Sequence, residues 1–210
     1  MKTRIILAIA VLFAAMSNTA NAQNRLRMEL GYNVGIPTGS FKTNQINNTS
    51  FRGAIGEISY PVSNKFQLGL MSGFQNYHQK FGRQLYQTQD HQTISAVKTN
   101  SIDIIPLVLR GTYFPMGSNT QQLIQPYVSA GAGLSFVSYD QYLGEFGGSE
   151  TAFPLMVQAG AGVIIPVGGM LPQTGIKLGA TYNYSGYTKN DMNTKLGNIG
   201  VHAGFVFPMR

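Results

Sequence analysis

From residue 25 onward, apolar side chains fall on every second position of the chain. Leu26, Met28, Leu30, Tyr32, Val34 and Ile36 alternate with Arg25, Arg27, Glu29, Gly31, Asn33 and Gly35. A period of two sends successive side chains to opposite faces of an extended backbone, so this stretch reads as a strand with one apolar and one polar face. Residues 176–185 and 198–207 repeat the pattern, with Ile176, Leu178, Ala180, Tyr182 and Tyr184 on one face of the first and Ile199, Val201, Ala203, Phe205 and Phe207 on one face of the second. Segments 51–60, 66–77, 101–114, 124–139 and 153–165 bring the total to eight strands. Two keep phase poorly. Segment 51–60 has Arg52 among its outward positions, and 101–114 changes phase near Pro106. A bulge at 104–106 is expected there, which would put Asp103 and Arg110 on one face.

The connections set the topology. Long ones are expected at 37–50, 79–100, 140–152 and 186–195, and shorter ones at 61–65, 115–123 and 166–174. A repeat marks the short side: Tyr60-Pro61-Val62, Phe114-Pro115-Met116, Ile165-Pro166-Val167 and Phe207-Pro208-Met209. Proline has no N–H to give to a ladder, so each of these stops a descending strand at the same height. The chain is therefore four antiparallel hairpins in series.

The first 22 residues stand apart. Lys2 and Arg4 supply a positive start, residues 5–15 an apolar run, and Ala20-Asn21-Ala22 the small-x-small pattern that signal peptidase cleaves. This predicts a secretory signal peptide over 1–22 and a mature domain over 23–210. The run is too short for a membrane helix, which needs about 20 apolar residues. Cysteine is absent, which excludes a disulfide scaffold, thiolate zinc sites, a cysteine nucleophile and a lipidated cysteine anchor. Basic side chains outnumber acidic ones, 15 to 8, but form no run beyond the Arg25-x-Arg27 pair. Nucleic acid is not an expected partner.

Eight such strands closed into a barrel can turn the apolar face inward around a ligand or outward against lipid, and periodicity does not distinguish the two. Composition does. A polar face in water would be rich in Lys and Glu, yet only 11% of the side chains are charged, against about 25% in soluble domains. The polar face carries Gly, Ser, Asn and Gln instead, and the runs 130–133 and 159–162 alternate alanine with glycine where a narrow barrel has least room. The apolar face is expected to meet lipid, with Tyr and Phe forming interfacial belts.

Taken together, these residues resemble the small bacterial outer-membrane β-barrel family: eight-stranded barrels like the membrane domain of OmpA and OmpX, and in particular the porin-family barrels of the Bacteroidetes. The resemblance covers the chain from Arg25 to Phe207 and includes the aromatic last strand, Phe205-Val206-Phe207, which in the family is the assembly signal. Here Pro208, Met209 and Arg210 follow it, a departure from the commonest ending. The resemblance implies an all-β, eight-stranded antiparallel up-and-down transmembrane barrel in the bacterial outer membrane, with both termini periplasmic and the long loops extracellular. It also implies contact with outer-membrane lipid and lipopolysaccharide, and with the barrel-assembly machinery during insertion. No periplasmic module is expected after Phe207. Fold does not carry function in such a family.

Counted from the short-turn end, Arg27 and Glu29 of the first strand, Glu57 of the second, Arg110 of the fourth and Lys177 of the seventh face inward at similar height. They are expected to form a salt-bridge network that plugs the interior, with a proton or ion path as the alternative. No phosphate loop, zinc spacing or nucleotide fingerprint occurs, so no cofactor or metal is expected. His202 faces inward as an interior polar residue. Some small outer-membrane barrels are lipid A deacylases or acyltransferases with His, Ser and an acid near the outer rim. The resemblance allows such a site from His78, a serine and Asp90 or Asp103, but the spacing has no specificity and a non-enzyme is the expectation.

Function is expected in the long connections. The longest carries Lys80, Arg83, Tyr86, Asp90, His91 and Lys98, residue types suited to a protein partner or anionic lipopolysaccharide, or else serving only to keep the loop solvated. Two non-enzymatic classes follow. One is a structural or surface-interaction barrel. The other is small-solute transport, by a hydrophobic-gated conduit or an accessory barrel to a secretion machine resembling the PorT-like proteins.

Overall fold

The structure, a computed structural model, describes residues 26–87, 93–118, 123–143, 146–167, 174–189 and 192–209. The expected signal peptide, residues 1–22, lies outside the described residues, as do Asp90 and His91. The elements are β1 (Arg27–Thr38), helix α1 (Gly39–Asn44), β2 (Arg52–Pro61), β3 (Phe66–Gln87), β4 (Thr93–Tyr113), β5 (Gln125–Leu143), β6 (Phe146–Ala152), β7 (Leu155–Pro166), β8 (Gly175–Lys189) and β9 (Met192–Pro208). Each strand pairs antiparallel with its neighbours, and β1 pairs with β9 from Arg27↔Pro208 to Thr38↔Gly197, which closes the sheet. β6 and β7 are one stave broken at Pro154. The upper part of β5 pairs with β6 and its lower part with β7, and at the break the Ser135 N–H donates to the Pro154 carbonyl at 3.0 Å. The barrel therefore has eight staves.

The polar face is inside. On β1, Arg27, Glu29 and Asn33 are buried while Leu30, Tyr32 and Ile36 are exposed. Leu30, Ile58, Leu70, Leu109, Val128, Val157, Leu178 and Val201 continue the exposed apolar band around the barrel. Tyr60, Phe66 and Tyr113 flank it at the end with the short turns, and Tyr32, Phe74, Phe153 and Tyr182 at the other. This is the belt arrangement of a lipid-facing surface. Proline closes β2, β7 and β9, and Pro115 follows β4 closely, so the short-turn end is level as the repeat anticipates. The alternating glycines make room inside: a Cβ on Gly131 would lie 2.8 Å from Val108 Cγ1 and 3.1 Å from Gln158 Nε2.

Two expectations are corrected. β4 has no bulge at Pro106, because Leu107↔Ser72 and Ile104↔Gln75 lie in one register, and the shift in the β3–β4 pairing falls between Lys80 and Arg83 instead. Ile102, Ile104, Val108 and Arg110 all point inward, while Asp103 lies on the outer face and accepts from Asn76 Nδ2 at 2.6 Å. Asp103 and Arg110 thus sit on opposite faces. The phase looks broken because the interior changes character along the axis: away from the short turns it is apolar, lined by Tyr77, Ile102, Ile104, Val137, Tyr139 and Leu196.

The second correction concerns the long connections. Three of the four are hairpins that carry the ladder onward: β3 runs to Gln87 and β4 starts at Thr93, β5 and β6 nearly meet, and so do β8 and β9. Beyond the lipid band apolar residues such as Phe81, Leu85, Tyr86, Ile94 and Val97 fall among polar ones with no fixed period, so the period-two signal fades although the backbone hydrogen bonds continue. The first connection instead leaves the ladder, as α1 and the irregular 45–51. We expect Gly131→Val to destabilise the barrel by about 1–3 kcal/mol through overpacking. Gly148→Val, where a Cβ meets nothing within 4 Å, should be neutral. Heat-modifiable gel migration of the two variants checks this.

Candidate functional site: the charged layer and the chamber above it

Pairing places Glu29 directly opposite Glu57 on the inner face of β1 and β2. Two carboxylates in that position repel each other unless a cation stands between them. Lys177 of β8 supplies it, with Nζ 2.5 Å from Glu29 Oε2 and 3.5 Å from Glu57 Oε2. Arg110 of β4 reaches the same Glu57 Oε2 through Nη1 at 2.9 Å, and its Nη2 donates to Gln158 Oε1 at 3.1 Å. The chain Gln158, Arg110, Glu57, Lys177, Glu29 spans the lumen, and each of the five residues is at most 5% exposed.

Four of the five expected charges are brought together. Arg27 is buried as well, two positions nearer the short turns, facing Gln125 and Thr174 across a small cavity rather than the Glu57 carboxylate. Sequence reasoning missed Gln158 and Tyr127. The Tyr127 ring centroid lies 4.9 Å from Lys177 Nζ, a cation–π contact, and its hydroxyl is 3.2 Å from His202 Nε2. Both residues are within reach of parity, since each alternates with the alanines and valines of a lipid-facing row.

Above the charged layer lies a chamber of about 40 Å³ lined by Asn33, Gln75, Thr181, Asn183, Asn198 and His202, among others. Asn33 Nδ2 donates to Gln75 Oε1 at 2.8 Å, and Asn183 Nδ2 to Asn198 Oδ1 at 2.9 Å. At roughly 10–15 Å³ per water, the space suits a few waters. Farther from the short turns, Phe41 of α1 and Ile46 insert between the staves, both fully buried, and the Phe41 ring meets Tyr77 edge-on with centroids 5.0 Å apart.

The other expected residues are dispersed. Lys80 and Arg83 are exposed on β3, and Lys98 on β4 holds Nζ 5.9 Å from the Phe81 ring centroid. Tyr86 belongs to β3, where it pairs with Ile94. These four residues stand on the β3–β4 ladder, not in the loop expected for them. His78 is exposed on the outer face opposite Ser101. Ser101 Oγ accepts from Asn76 Nδ2 at 3.3 Å, the same amide that serves Asp103. Among the described residues no hydrogen bond joins His78 to Ser101, the contact an activated serine needs. No group of three His, Asp or Glu side chains among them is placed to hold a metal.

A closed barrel with lipid-facing apolar staves, aromatic belts and a polar interior defines a transmembrane β-barrel. The sequence matches the family described as outer membrane protein beta-barrel domain over residues 5–207, and the chain belongs to that family. It is thus an outer-membrane protein. No curated protein matches the sequence. Among solved structures it is similar to Neisserial surface protein A, at 13% identity and TM-score 0.50 over 89% of this chain and 97% of that one. The N-terminal β-barrel domain of Pseudomonas aeruginosa OprF aligns at 17% identity and TM-score 0.45, over 88% of this chain and 100% of that one. Ail of Yersinia pestis, in complex with the heparin analogue sucrose octasulfate, aligns at 17% and 0.48, over 88% and 99%.

Glu57 carries two cations and Arg110 one carboxylate, so the two alanine variants differ. Glu57→Ala should cost about 3–5 kcal/mol, because it strands both Arg110 and Lys177 in the interior. Arg110→Ala leaves Glu57 with Lys177 and should cost less, and the double variant should fall short of the sum. Urea unfolding of the refolded barrels, followed by gel migration, measures all three.

Proposed function

We propose that this chain is a structural and surface-interaction barrel of the outer membrane, plugged by its charged layer, with both termini periplasmic and recognition seated on the sheet formed by β3 to β6. The observation that carries this reading is where pairing stops. Among the described residues β3 pairs with β2 only as far as Asn76, yet continues to Gln87 against β4 alone, and β6 pairs only with β5. A four-stranded sheet therefore rises past the closed barrel with one free edge on β3 and another on β6. Free edges are templates for an incoming strand. The β3 edge is blunted by Lys80, Arg83 and the register shift between them, which leaves Gly147 to Thr151 of β6 as the better acceptor of an extended peptide. Lys80 and Arg83 suit the phosphates of lipopolysaccharide, whose attraction falls off within a Debye length of the surface.

The alternative, small-solute transport or a secretion-accessory role, is disfavoured by a chamber no larger than a few waters. Lipid A modification is disfavoured by the lack, among the described residues, of a hydrogen bond between His78 and Ser101. Insertion through the barrel-assembly machinery is supported by the aromatic Phe205-Val206-Phe207 at the end of β9, and export by the removable segment 1–22, for which the mature chain begins at Gln23. An epitope inserted between residues 88 and 92 should be labelled on intact cells, and the purified barrel should show no large steady conductance in planar bilayers. Labelling only after lysis would invert the orientation, and a stable open channel would favour transport.

A further inference from the structure

The first connection has a role that neither the charged layer nor the protruding sheet supplies. Among the described residues it is the long connection that leaves the ladder, and it turns into the barrel. Gly39, with φ +57° and open space where a Cβ would stand, swings the backbone off the end of β1. The residues after it place Phe41 and Ile46 at 0% exposure among Tyr77, Ile102, Ile104, Val137, Tyr139 and Leu196, while Lys42 and Thr43 between them stay exposed. The segment is thus amphipathic across the mouth, apolar toward the lumen and polar toward water.

Its intrinsic stability is low. α1 has six residues, its N-cap Thr38 makes no side-chain cap, and its first turn holds no acid. A helix this short does not persist unaided. The hydrogen bonds that tie the connection to the staves include Asn100 Nδ2 to the Gln45 carbonyl at 3.2 Å, Ser40 Oγ to the Lys195 carbonyl at 3.1 Å, and the Asn47 N–H to Gln79 Oε1 at 2.5 Å. Two apolar anchors and these polar ties hold a short segment against the apolar stratum, and beyond that stratum lies the chamber, whose walls combine amides, a hydroxyl and an imidazole with apolar side chains such as Met71, Ile104 and Met156. An element anchored at so few buried side chains opens locally while the surrounding ladder stays intact.

We propose that residues 39–46 are a hinged lid, pivoting at Gly39, that seals the hairpin-end mouth of the barrel and opens to admit water and ions of similar size to the chamber lined in part by Asn33, Gln75, Thr181, Asn183, Asn198 and His202. The barrel then has two closures of different chemistry in series. The charged layer shuts the short-turn side by ion pairs, and the lid shuts the other by desolvating Phe41 and Ile46.

The absence of native cysteine makes the test direct. Thr181→Cys places a single thiol in the chamber wall, and its reaction with silver ion, a thiol-reactive cation about the size of a water, is timed on the refolded barrel in detergent, with heat-modifiable migration confirming the fold. In the otherwise unaltered chain the reaction should be slow compared with the unfolded protein. Phe41→Ala with Ile46→Ala should speed it by roughly a hundredfold, the gain in opening that losing such anchors brings, while Phe41→Leu should leave it within a few-fold. Should the double variant fail to fold, Ile46→Ala alone is expected to give roughly tenfold. Equal rates with and without the anchors would overturn the lid. So would an equal acceleration by Arg110→Gln, because the reagent would then be arriving through the charged layer.

Discussion

Everything else in this molecule depends on the pairing of β1 with β9. In lipid an unpaired backbone N–H or carbonyl costs several kcal/mol, so a sheet spans the bilayer only if its first and last strands find each other. Twelve residue pairs from Arg27↔Pro208 to Thr38↔Gly197 make that seam. Closure also defines an inside, and with eight staves the inside is too narrow for anything but side chains. The alternation of small and large residues follows from that. Gly131 leaves space for the Gln158 amide that steadies Arg110, and Gly179 leaves space for Tyr127 and His202.

The interior is stratified along the axis, and each stratum answers a different physical problem. Near the short turns, opposed carboxylates are reconciled by two cations from distant staves. In the middle, amides pair with amides around a space with room for a few waters. At the hairpin end, aromatic and branched side chains exclude water outright. A polar lumen and a hydrophobic cap thus coexist within one barrel, and neither alone describes what lies between the two ends.

The sequence announces the staves wherever lipid enforces alternation, as in β1, β8 and β9, and the proline repeat levels their ends. It is silent where that pressure stops. Above the belts, β3 and β4 keep their hydrogen bonds while apolar and polar residues lose their alternation, so strands there look like a loop. In β4, Ile102 and Ile104 face the apolar stratum and Val108 packs with Met71 and Met156, so both faces are apolar and the phase seems lost at Pro106. The inward charges are readable from parity alone, but which acid takes which base is not, because that depends on the stagger between staves far apart in the chain. Phe41 and Ile46 do carry a signal: two bulky apolar residues in an otherwise polar connection have to be buried against something.

The facing pair Glu29 and Glu57 also bears on how the barrel is made. Their strands are sequence neighbours and form the first hairpin, but the lysine that reconciles them arrives 148 residues after Glu29. Until β4 brings Arg110 to Glu57 and β8 brings Lys177 to Glu29, the first hairpin holds two like charges across a rung. A half-zipped sheet is consequently a poor resting state, and the last staves to arrive carry the charge that makes the first ones comfortable. Assembly is driven toward all-or-none, with the ring completed rather than paused, by electrostatics written into both ends of the chain.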